Sequence, residues 1–306
     1  MRKRGVQMRV ENLLQNRVAD FITYCKKHKM ELDDSFLYDE DLQEFEPNEE
    51  NPTYIVTTQQ GDIVGAVSLM IDDYSKRGRK ARFRIFHSEV ESLECYSMLM
   101  EAILKHTDGL DKVFLFVPFT NKKLEEFINQ LKFNVERYSF VLVREDLDVP
   151  EFSLPNDYVI QPFQSGRDEE IWCEVRNAGF AKLQGSETPI TPEMVQKMMT
   201  AEENIEGGSM ILYHKSEPVG VIRGADDEYE NSRIMEIGPI AIIPAYQGKG
   251  LGRILLRAAL RFAKEKSYKR TILCVNADNE RAKALYIQEG FKQVEAVACY
   301  KYDLRK

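Results

Sequence analysis

The sequence of 306 residues is poor in the residues that build disulfide frameworks and metal centres. It has five cysteines, an odd number, and no pair of them has Cys-x-x-Cys spacing. Its four histidines, His28, His87, His106 and His214, stand far apart in the sequence. Scattered thiols are typical of a reducing compartment, and isolated histidines offer no set of metal ligands. The sequence therefore predicts a cytoplasmic protein with neither a disulfide nor a bound metal.

Long apolar runs and an excess of positive charge are missing as well. No run approaches the ~20 apolar residues that span a bilayer, and the basic start of the chain lacks the apolar core of a secretion signal. The formal net charge of −8 disfavours non-specific binding to nucleic acid. We therefore expect a soluble protein with room for two domains, and neither nucleic acid nor membrane as a partner. No feature of the sequence predicts the oligomeric state.

Negative charge is concentrated between Glu31 and Glu50, where ten carboxylates occur without a single lysine or arginine. A run of like charge usually forms a solvated face or loop. We therefore predict a solvated loop for this segment, and the alternative is a surface that attracts a cationic substrate.

The most informative stretch is a glycine-rich turn between an apolar strand and an amphipathic helix. The strand is predicted over residues 237–243, and Pro244 leads from it into the turn. Glycines there let a ligand approach the unpaired first N–H groups of the helix, and the helix dipole adds partial positive charge. The turn therefore predicts a site for a phosphorylated cofactor. Its residues are Gln247, Gly248, Lys249, Gly250, Leu251 and Gly252.

The spacing of these glycines excludes two common phosphate-binding motifs. Glycines at 248, 250 and 252 do not fit Gly-x-Gly-x-x-Gly, and no Gly-Lys-Ser/Thr follows them. Neither the dinucleotide fingerprint nor the P-loop is therefore present. An ordinary strand-to-helix turn, with glycines that only cap the helix, remains the alternative to a phosphate site.

A second pattern, N-x-x-A-x-x-L-Y-x-x-x-G-F, runs from Asn279 to Phe291. Asp278 or Asn279 is predicted to cap a helix, and Gly290 is predicted to end it in the left-handed conformation that glycine tolerates. Capping alone accounts for Asn279, and packing on the helix face is an alternative to a chemical role for Tyr286.

The motif Gln-x-x-Gly-x-Gly, followed by this second pattern, resembles the GNAT superfamily of acyltransferases (the Gcn5-related N-acetyltransferases). The resemblance covers residues 155–306 and implies an α/β domain with a mixed, mostly antiparallel central sheet flanked by helices. It implies acetyl-CoA as cosubstrate, with its pyrophosphate at the glycine turn and Asn279 beside it. The backbone of Ile240, Ala241 and Ile242 is implied to pair with the pantetheine arm like an added strand.

The N-terminal half of the chain weakly repeats the C-terminal half. Val64-Gly65 parallels Val219-Gly220, and residues 112–133 match residues 270–291 without a gap. Such self-similarity indicates duplication of a whole domain. We predict two tandem GNAT-like domains, 1–147 and 155–306, joined by a linker from Asp146 to Asp157.

The first copy is predicted to be degenerate. In a gapless alignment Glu89 to Glu94 stands opposite the glycine turn, with no glycine and three carboxylates. Each carboxylate about 6 Å from a pyrophosphate would repel it by roughly 2–3 kcal/mol, whereas a helix N-terminus returns about 0.3–2 kcal/mol. We therefore expect no CoA in the first domain, which would shape the acceptor cleft or stabilise the second domain. One intact and one degenerate copy resemble the mycothiol synthases in architecture.

Glu236 is the predicted general base. An alkyl amine with a pKa near 10.4 is neutral in about one molecule per 10³ at pH 7, so a base is needed. Glu236 lies eleven positions before Gln247, where the resemblance to the histone acetyltransferase branch implies this role. The alternative is a surface carboxylate on an alternating strand. The acidic run from Asp226 to Glu230 could recruit an ammonium group, but a solvated hairpin loop is favoured.

The resemblance gives Tyr286 the role of general acid for the departing CoA thiolate, with a modest contribution because a thiol leaves readily. Cys274 is predicted to be a buried structural thiol rather than a nucleophile. Three arginines on the helix after the glycine turn are predicted to form a solvated face, with contact to the 3′-phosphate of CoA as the alternative for one of them. They are Arg253, Arg257 and Arg261.

The sequence thus predicts an acetyl-CoA-dependent N-acetyltransferase that acts on an amine of a small molecule. Acetylation of a protein lysine or N-terminus is one alternative, and a non-catalytic CoA-binding or interaction module is the other. The acceptor region, around residues 172–200, carries no readable pattern, and its Phe180, Met194, Met198 and Met199 are better explained as helix-packing core.

Overall fold

The computed structural model describes residues 8–146 and 148–305. Residues 1–7, 147 and 306, which belong to the two predicted domains, lie outside the described residues. The chain forms two compact units. Unit 2 is Phe140–Glu295, and unit 1 comprises the chain before it, up to Ser139, and the chain after it, from Ala296.

The first half of the chain alternates short helices with strands. Its strands are β1 (Arg9–Asn12), β2 (Thr53–Thr57), β3 (Ile63–Met70), β4 (Lys80–Ser88), β5 (Lys112–Pro118) and β6 (Asn134–Arg144). Its helices are α1 (Val18–His28), α2 (Asp39–Gln43), α3 (Asp73–Arg77), α4 (Leu93–Ile103) and α5 (Lys122–Gln130). Short 3-10 turns cover Gln15–Arg17, Lys29–Glu31 and Leu104–His106.

The second half follows the same plan with longer strands. Its strands are β7 (Tyr158–Pro162), β8 (Asn204–His214), β9 (Glu217–Tyr229), β10 (Ser232–Ile242), β11 (Thr271–Asn276) and β12 (Lys292–Asp303). Its helices are α6 (Glu169–Phe180), α7 (Pro192–Thr200), α8 (Leu251–Glu265) and α9 (Glu280–Gln288), with a 3-10 turn at Pro244–Tyr246. Of the helices that the structure describes, none combines the length and the apolar character needed to cross a bilayer.

Each unit has a mixed, mostly antiparallel sheet. In unit 1 the strand order is β1-β2-β3-β4-β5-β12, and in unit 2 it is β11-β10-β9-β8-β7. The pairs β4/β5 and β10/β11 are parallel, and the other pairs within these two series are antiparallel. The predicted fold class, α/β with helices flanking such sheets, is confirmed.

The boundaries of the units differ from the predicted domains at the C-terminal end. The second half of β12 pairs with β5 of unit 1, from Val297 opposite Pro118 to Asp303 opposite Lys112. The alternation of side chains along a strand does not specify the sheet that it joins, so the sequence pattern assigned β12 to the second domain throughout. Between β6 and β7 the described residues form neither helix nor strand, but this predicted linker lies inside unit 2, which begins at Phe140.

The internal repeat has a structural counterpart in each unit. Asn121 and Asn279 cap α5 and α9 with the same geometry, because each side chain accepts a hydrogen bond from the N–H three residues later. The second residue after each helix is left-handed, with φ of 68° at Lys132 and 91° at Gly290. A lysine in this conformation is disfavoured by about 1–2 kcal/mol. Unit 1 therefore has the same left-handed turn as unit 2, although a lysine stands in place of the glycine.

The acidic segment is more ordered than predicted. It contains α2, and Leu37, Leu42 and Phe45 are buried in the core of unit 1. The prediction of a solvated loop is therefore wrong here, because apolar residues placed between the carboxylates anchor the segment to the core.

The sheet of unit 2 separates two packing layers. Ile237 and Ile242 of β10 pack in one apolar cluster with Leu251 and Leu255 of α8. On the opposite face Ala241 packs towards α6, where Gly179 has no side chain. A Cβ on Gly179 would lie 3.0 Å from the Cβ of Ala241, so glycine lets the helix approach β10 closely.

Candidate functional site

The glycine turn has the backbone conformation that its sequence requires. Gly248 and Gly250 are left-handed, with φ of 76° and 79°. An added Cβ at either position would meet no atom within 4 Å, so conformation rather than space demands glycine. Gln247 donates from Nε2 to the backbone oxygen of Ile242 at 2.9 Å, which ties the turn back to β10.

The turn presents a row of backbone donors. In the part of the chain that the structure describes, the N–H groups of residues 248–252 have no hydrogen-bond acceptor. They precede and open α8, which starts at Leu251 with an apolar stripe that fixes it on the sheet. Successive N–H groups around left-handed residues at a helix N-terminus form a concave site for an anion. The geometry thus fits the predicted phosphate site better than a purely structural turn.

The edge of β10 next to this turn is only partly paired. The parallel pairing with β11 covers Met235 and Glu236, whereas Ile240, Ala241 and Ile242 pair with β9 on the other side. The edge of these three residues that faces away from β9 therefore has backbone groups to offer to an extended ligand. The gap opens where β10 leaves β11, directly after Glu236.

Glu236 is half-buried on β10, opposite Ala225 of β9. Burial raises the pKa of the Glu236 carboxyl above its usual range, and the charge of Asp227 raises it further. The charge of Arg223 lowers this pKa and that of Glu203 raises it. A carboxyl whose pKa is raised is a stronger base once ionised, which suits proton transfer near neutral pH.

Arg223 is a residue whose importance the sequence analysis missed. It is 6% exposed, and its Nε and Nη2 atoms have no hydrogen-bond partner among the described residues. Its nearest carboxylate is Glu203, with an N–O distance of 3.9 Å. Ser209 stands opposite it on β8 with a buried hydroxyl that also has no partner in the described chain. An unpaired buried guanidinium is costly to fold, which points to a role beyond packing. The sequence signal for Arg223 was that it is a lone arginine within the apolar run of β9.

Tyr286 lies on α9, 9% exposed, in the same apolar cluster as Ile237 and Leu251. Burial raises the pKa of its hydroxyl to about 12, so the group keeps its proton at neutral pH. The ring packs edge-on against Phe291 with centroids 6.0 Å apart. Both a packing role and a proton-donor role are compatible with this position.

Asn279 caps α9 as predicted, since its Oδ1 accepts from the N–H of Ala282 at 3.2 Å. That bond does not use the amide nitrogen of Asn279. The predicted contact of Asn279 with the cofactor stays a prediction.

The predicted acceptor region is held in place by three polar side chains. Arg176 donates to the oxygen of Thr188 at 2.7 Å, and Asn177 makes two hydrogen bonds to the backbone of Ile190. Asn276, at the end of β11, donates to the backbone oxygen of Gln184 at 2.9 Å. The loop between α6 and α7 is therefore fixed beside the end of β11. Within the region, buried Met199 packs with Trp172 as the core prediction required.

Two predictions about individual side chains are wrong. Cys274 is exposed rather than buried, because its position in β11 faces away from the apolar layer. Arg257 does not belong to a solvated face, since it binds the buried carboxylate of Glu289 through two hydrogen bonds of 2.8 Å. Glu289 was hidden from sequence reasoning because it lies far along the chain, at the end of α9. Arg261 is exposed and stacks on Phe152.

The acidic run lies at the hairpin between β9 and β10, as predicted, but most of it belongs to β9. Asp226 accepts hydrogen bonds from Arg233 at 2.7 Å and from the hydroxyl of Tyr268 at 2.5 Å. Asp226 is therefore committed to the structure, whereas Asp227 faces the Glu236 side of the strand pair.

The turn of unit 1 is shorter than the gapless alignment predicted. Arg82 pairs with Phe114 of β5, and Glu236 pairs with Ile272 of β11, so Arg82 is the counterpart of Glu236. After the turn, the buried positions of the two following helices match at a different offset. They are Cys95, Leu99 and Met100 in α4, and Leu251, Leu255 and Leu256 in α8.

The offset between equivalent residues of the two units is larger by two positions in the helices than in the strands before them. The turn of unit 2 is therefore two residues longer than the turn of unit 1. The predicted equivalence of Glu89 to Glu94 with the glycine turn is therefore wrong in register. The prediction that unit 1 has no glycine there holds, because none occurs between Ser88 and Tyr96.

Comparison with known proteins agrees with this geometry. Residues 172–291 match the Acetyltransferase (GNAT) family. A mycothiol acetyltransferase of Arthrobacter sp. is 26% identical over 171 residues, which cover 54% of this chain and 52% of that protein. One from Acidothermus cellulolyticus is 26% identical, over 64% of this chain and 63% of that protein. The chain thus spans only about half to two thirds of these relatives.

Solved structures match over nearly the whole chain. A GCN5-related N-acetyltransferase from Sphaerobacter thermophilus has a TM-score of 0.72 at 14% identity, covering 98% of this chain and 96% of that chain. A tandem GNAT protein from the clavulanic acid biosynthesis pathway has a TM-score of 0.70 at 13% identity, covering 97% and 98%. Identities this low establish the fold alone. Residues 172–291 thus match the Acetyltransferase (GNAT) family, and the chain shares the fold of the tandem GNAT structures and resembles mycothiol acetyltransferases over about half of its length.

Proposed function

We propose that unit 2 moves the acetyl group of acetyl-CoA directly to an amine of a small molecule. One observation carries the proposal: five successive N–H groups without a protein acceptor open α8 beside the incompletely paired edge of β10. GNAT acetyltransferases use acetyl-CoA, whose pyrophosphate and extended pantetheine arm are complementary to these two features.

In this proposal the cofactor is held mainly by backbone. Its pyrophosphate accepts hydrogen bonds from the turn formed by Gln247, Gly248, Lys249, Gly250, Leu251 and Gly252. Its pantetheine arm pairs with the edge of Ile240, Ala241 and Ile242, and one N–H of that edge polarises the thioester carbonyl. Asn279 contacts the cofactor through the amide nitrogen that its capping bond does not use.

An ammonium acceptor loses two protons when it becomes an amide: one is released to solvent, and the other replaces the proton that the departing thiolate takes. Glu236 takes the proton of the acceptor ammonium, and the neutral amine attacks the thioester carbon. As the C–N bond forms, the C–S bond breaks, the hydroxyl of Tyr286 protonates the departing sulfur, and the second nitrogen proton restores that hydroxyl through solvent. The raised pKa of about 12 keeps Tyr286 in the protonated form that this step needs.

A cationic small molecule is the acceptor class that fits best. Glu236 lies among two further carboxylates, Asp227 and Glu203, which attract an ammonium group. Buried Arg223 lies in the same charged cluster, where it limits how far the pKa of Glu236 rises. The names of the relatives, mycothiol acetyltransferases, favour a small molecule over a protein.

The test is release of free CoA from acetyl-CoA, measured with a thiol reagent and with mass analysis of the product. We expect amine-dependent release with one class among amino sugars, amino-acid amides and polyamines. Release of CoA only with lysine peptides or peptide N-termini would show that the acceptor is a protein amino group rather than a small molecule. If unit 2 bound acetyl-CoA but no amine caused release of free CoA, unit 2 would be a non-catalytic CoA-binding module.

A further inference from the structure

Unit 1 contains a cluster of histidines and carboxylates that was not predicted from the sequence. His28 is the last residue of α1, Glu31 ends the following 3-10 turn, and His87 lies on β4. The two imidazole rings lie with centroids 4.2 Å apart. Both histidines are buried, with 6% of their surface exposed. The expectation that the four histidines are isolated is therefore wrong for these two.

One carboxylate joins the two rings. Oε1 of Glu31 lies 2.9 Å from Nδ1 of His28, and its Oε2 lies 3.5 Å from Nε2 of His87. One ligand atom from each of the three side chains falls within 4.8 Å of the other two. Ligands about 2 Å from a zinc ion lie roughly 3–4 Å from one another. Small side-chain adjustments therefore bring all three onto one ion.

The second nitrogen of each ring already has a partner. Nε2 of His28 lies 2.9 Å from Oε1 of Glu89, and Nδ1 of His87 lies 2.7 Å from the hydroxyl of Tyr24. Metal-bound histidines nearly always donate their other ring N–H to a carboxylate or another acceptor, which fixes the tautomer and orients the ring. Both outer partners are thus in the positions that a metal site uses.

We propose that His28, Glu31 and His87 bind a divalent transition-metal ion such as Zn²⁺. Two imidazoles and one carboxylate suit zinc, with water in the remaining position. That position is open to solvent on the side of Glu31, whose side chain is 58% exposed. Asn121 donates to the backbone oxygen of Glu31 at 2.6 Å, which anchors this ligand. The ion ties the end of α1 to β4, at the strand position where unit 2 carries Ala241.

The test uses the intact chain, stripped with a chelator and titrated with Zn²⁺ against a chromophoric competitor, with metal content measured by mass spectrometry. We expect one ion per chain. His87→Gln and Glu31→Gln should weaken binding by at least about 100-fold, and Glu89→Gln by about 10–100-fold because it removes an outer partner. His106→Gln is the matched control, since this exposed histidine hydrogen-bonds only Tyr54 among the described residues.

Equal zinc binding by the wild type and Glu31→Gln would overturn the proposal, and so would failure of the wild type to retain one ion. The cluster would then be a hydrogen-bonded network that holds no ion. Circular dichroism checks that each variant is folded. Should His87→Gln fail this check, Glu31→Gln still decides the outcome, because its side chain lies at the surface.

Discussion

At the strand position where unit 2 carries Glu236, unit 1 carries Arg82. The guanidinium of Arg82 binds Asp33 and lies 4.5 Å from the ring centre of Phe36 and 4.7 Å from that of Phe116. Glu236 instead lies half-buried beside a strand edge that is open to a ligand. A position that holds a predicted base in one unit therefore carries, in the other, a cation paired with a carboxylate and lying against two aromatic rings.

The helix caps show the same contrast. Asn121 in unit 1 and Asn279 in unit 2 cap their helices identically, but the amide nitrogen of Asn121 donates to the backbone of Glu31. Unit 1 thus places its own polypeptide where the proposed cofactor meets unit 2. The two units share the strands and caps of the fold, and unit 1 fills with its own chain the position that the proposal gives to the cofactor in unit 2.

The buried polar pairs of the two sheets differ too. In unit 1, Thr53 and Ser68 stand opposite each other and share a hydrogen bond of 2.8 Å. The equivalent pair in unit 2 is Ser209 and Arg223, whose buried polar atoms have no hydrogen-bond partner within the described residues. At this equivalent pair of positions, unit 1 pairs its polar side chains with each other, whereas unit 2 leaves hydrogen-bonding capacity unused.

The largest effect is expected from making unit 2 resemble unit 1 at the base. Glu236→Gln removes the proton acceptor and should lower kcat by about 10²–10⁴-fold. Acetyl-CoA affinity should stay within two-fold, because the cofactor is held elsewhere. Steady-state kinetics and acetyl-CoA titration check this. Glu228→Gln, an exposed carboxylate on the adjacent strand, is the control; a similar loss of kcat in both variants would contradict the role of Glu236.

The next effect concerns the donor turn. Gly250→Glu puts a carboxylate near the pyrophosphate, with a repulsion of about 3 kcal/mol, and should weaken acetyl-CoA binding by roughly 100-fold. Gly109→Glu is a matched control, because Gly109 has the same φ of 79° and equally open surroundings but lies in unit 1. Calorimetric titration should show normal binding in the control. Equal weakening in both would mean that backbone strain, not charge, was measured.

A third effect tests stability rather than activity. Unit 2 has the buried Arg257–Glu289 pair, whereas unit 1 has Leu131 at the position of Glu289. Arg257→Leu leaves the buried carboxylate of Glu289 with Arg253, at 3.3 Å, as its remaining ion-pair partner in the described chain. The free energy of unfolding should fall by about 2–4 kcal/mol. In urea denaturation Arg261→Leu, an exposed arginine on the same helix, should cost far less; an equal cost would show that the pair contributes nothing.

The smallest effect is a change in pH dependence. Activity should rise as pH increases through the pKa of Glu236, because only the ionised carboxylate accepts a proton. Asp227 and Glu203 raise this pKa and Arg223 lowers it, while burial is the largest cause of its rise. Asp227→Asn should therefore move the acidic limb of the pH–rate profile to lower pH. An acidic limb that stays in place or moves to higher pH would show that this limb does not report the ionisation of Glu236.

Local features of the fold were predictable from the sequence, and long-range ones were not. The cap at Asn279 and the left-handed glycine at 290 follow from neighbouring residues, so sequence patterns predicted them. The pairing of β12 with β5 and the meeting of His28 with His87 depend on which distant elements become neighbours. A periodicity carries no information on that choice.

The candidate site divides in the same way. The glycine turn and Glu236 were found because their residues are close in sequence. Arg223 and Ser209 were missed because only the register of β8 against β9 brings them together. The two-residue difference between the turns was also missed, since a weak repeat does not reveal where an alignment needs a gap.

The central claim is that one unit of the pair binds the donor and the other does not. The most direct measurement is the stoichiometry of acetyl-CoA binding to the intact chain, by calorimetric titration. The account predicts one molecule per chain, bound at the turn that opens α8. Two molecules per chain would show that unit 1 has kept a donor site, and no binding at all would show that the glycine turn is only structural.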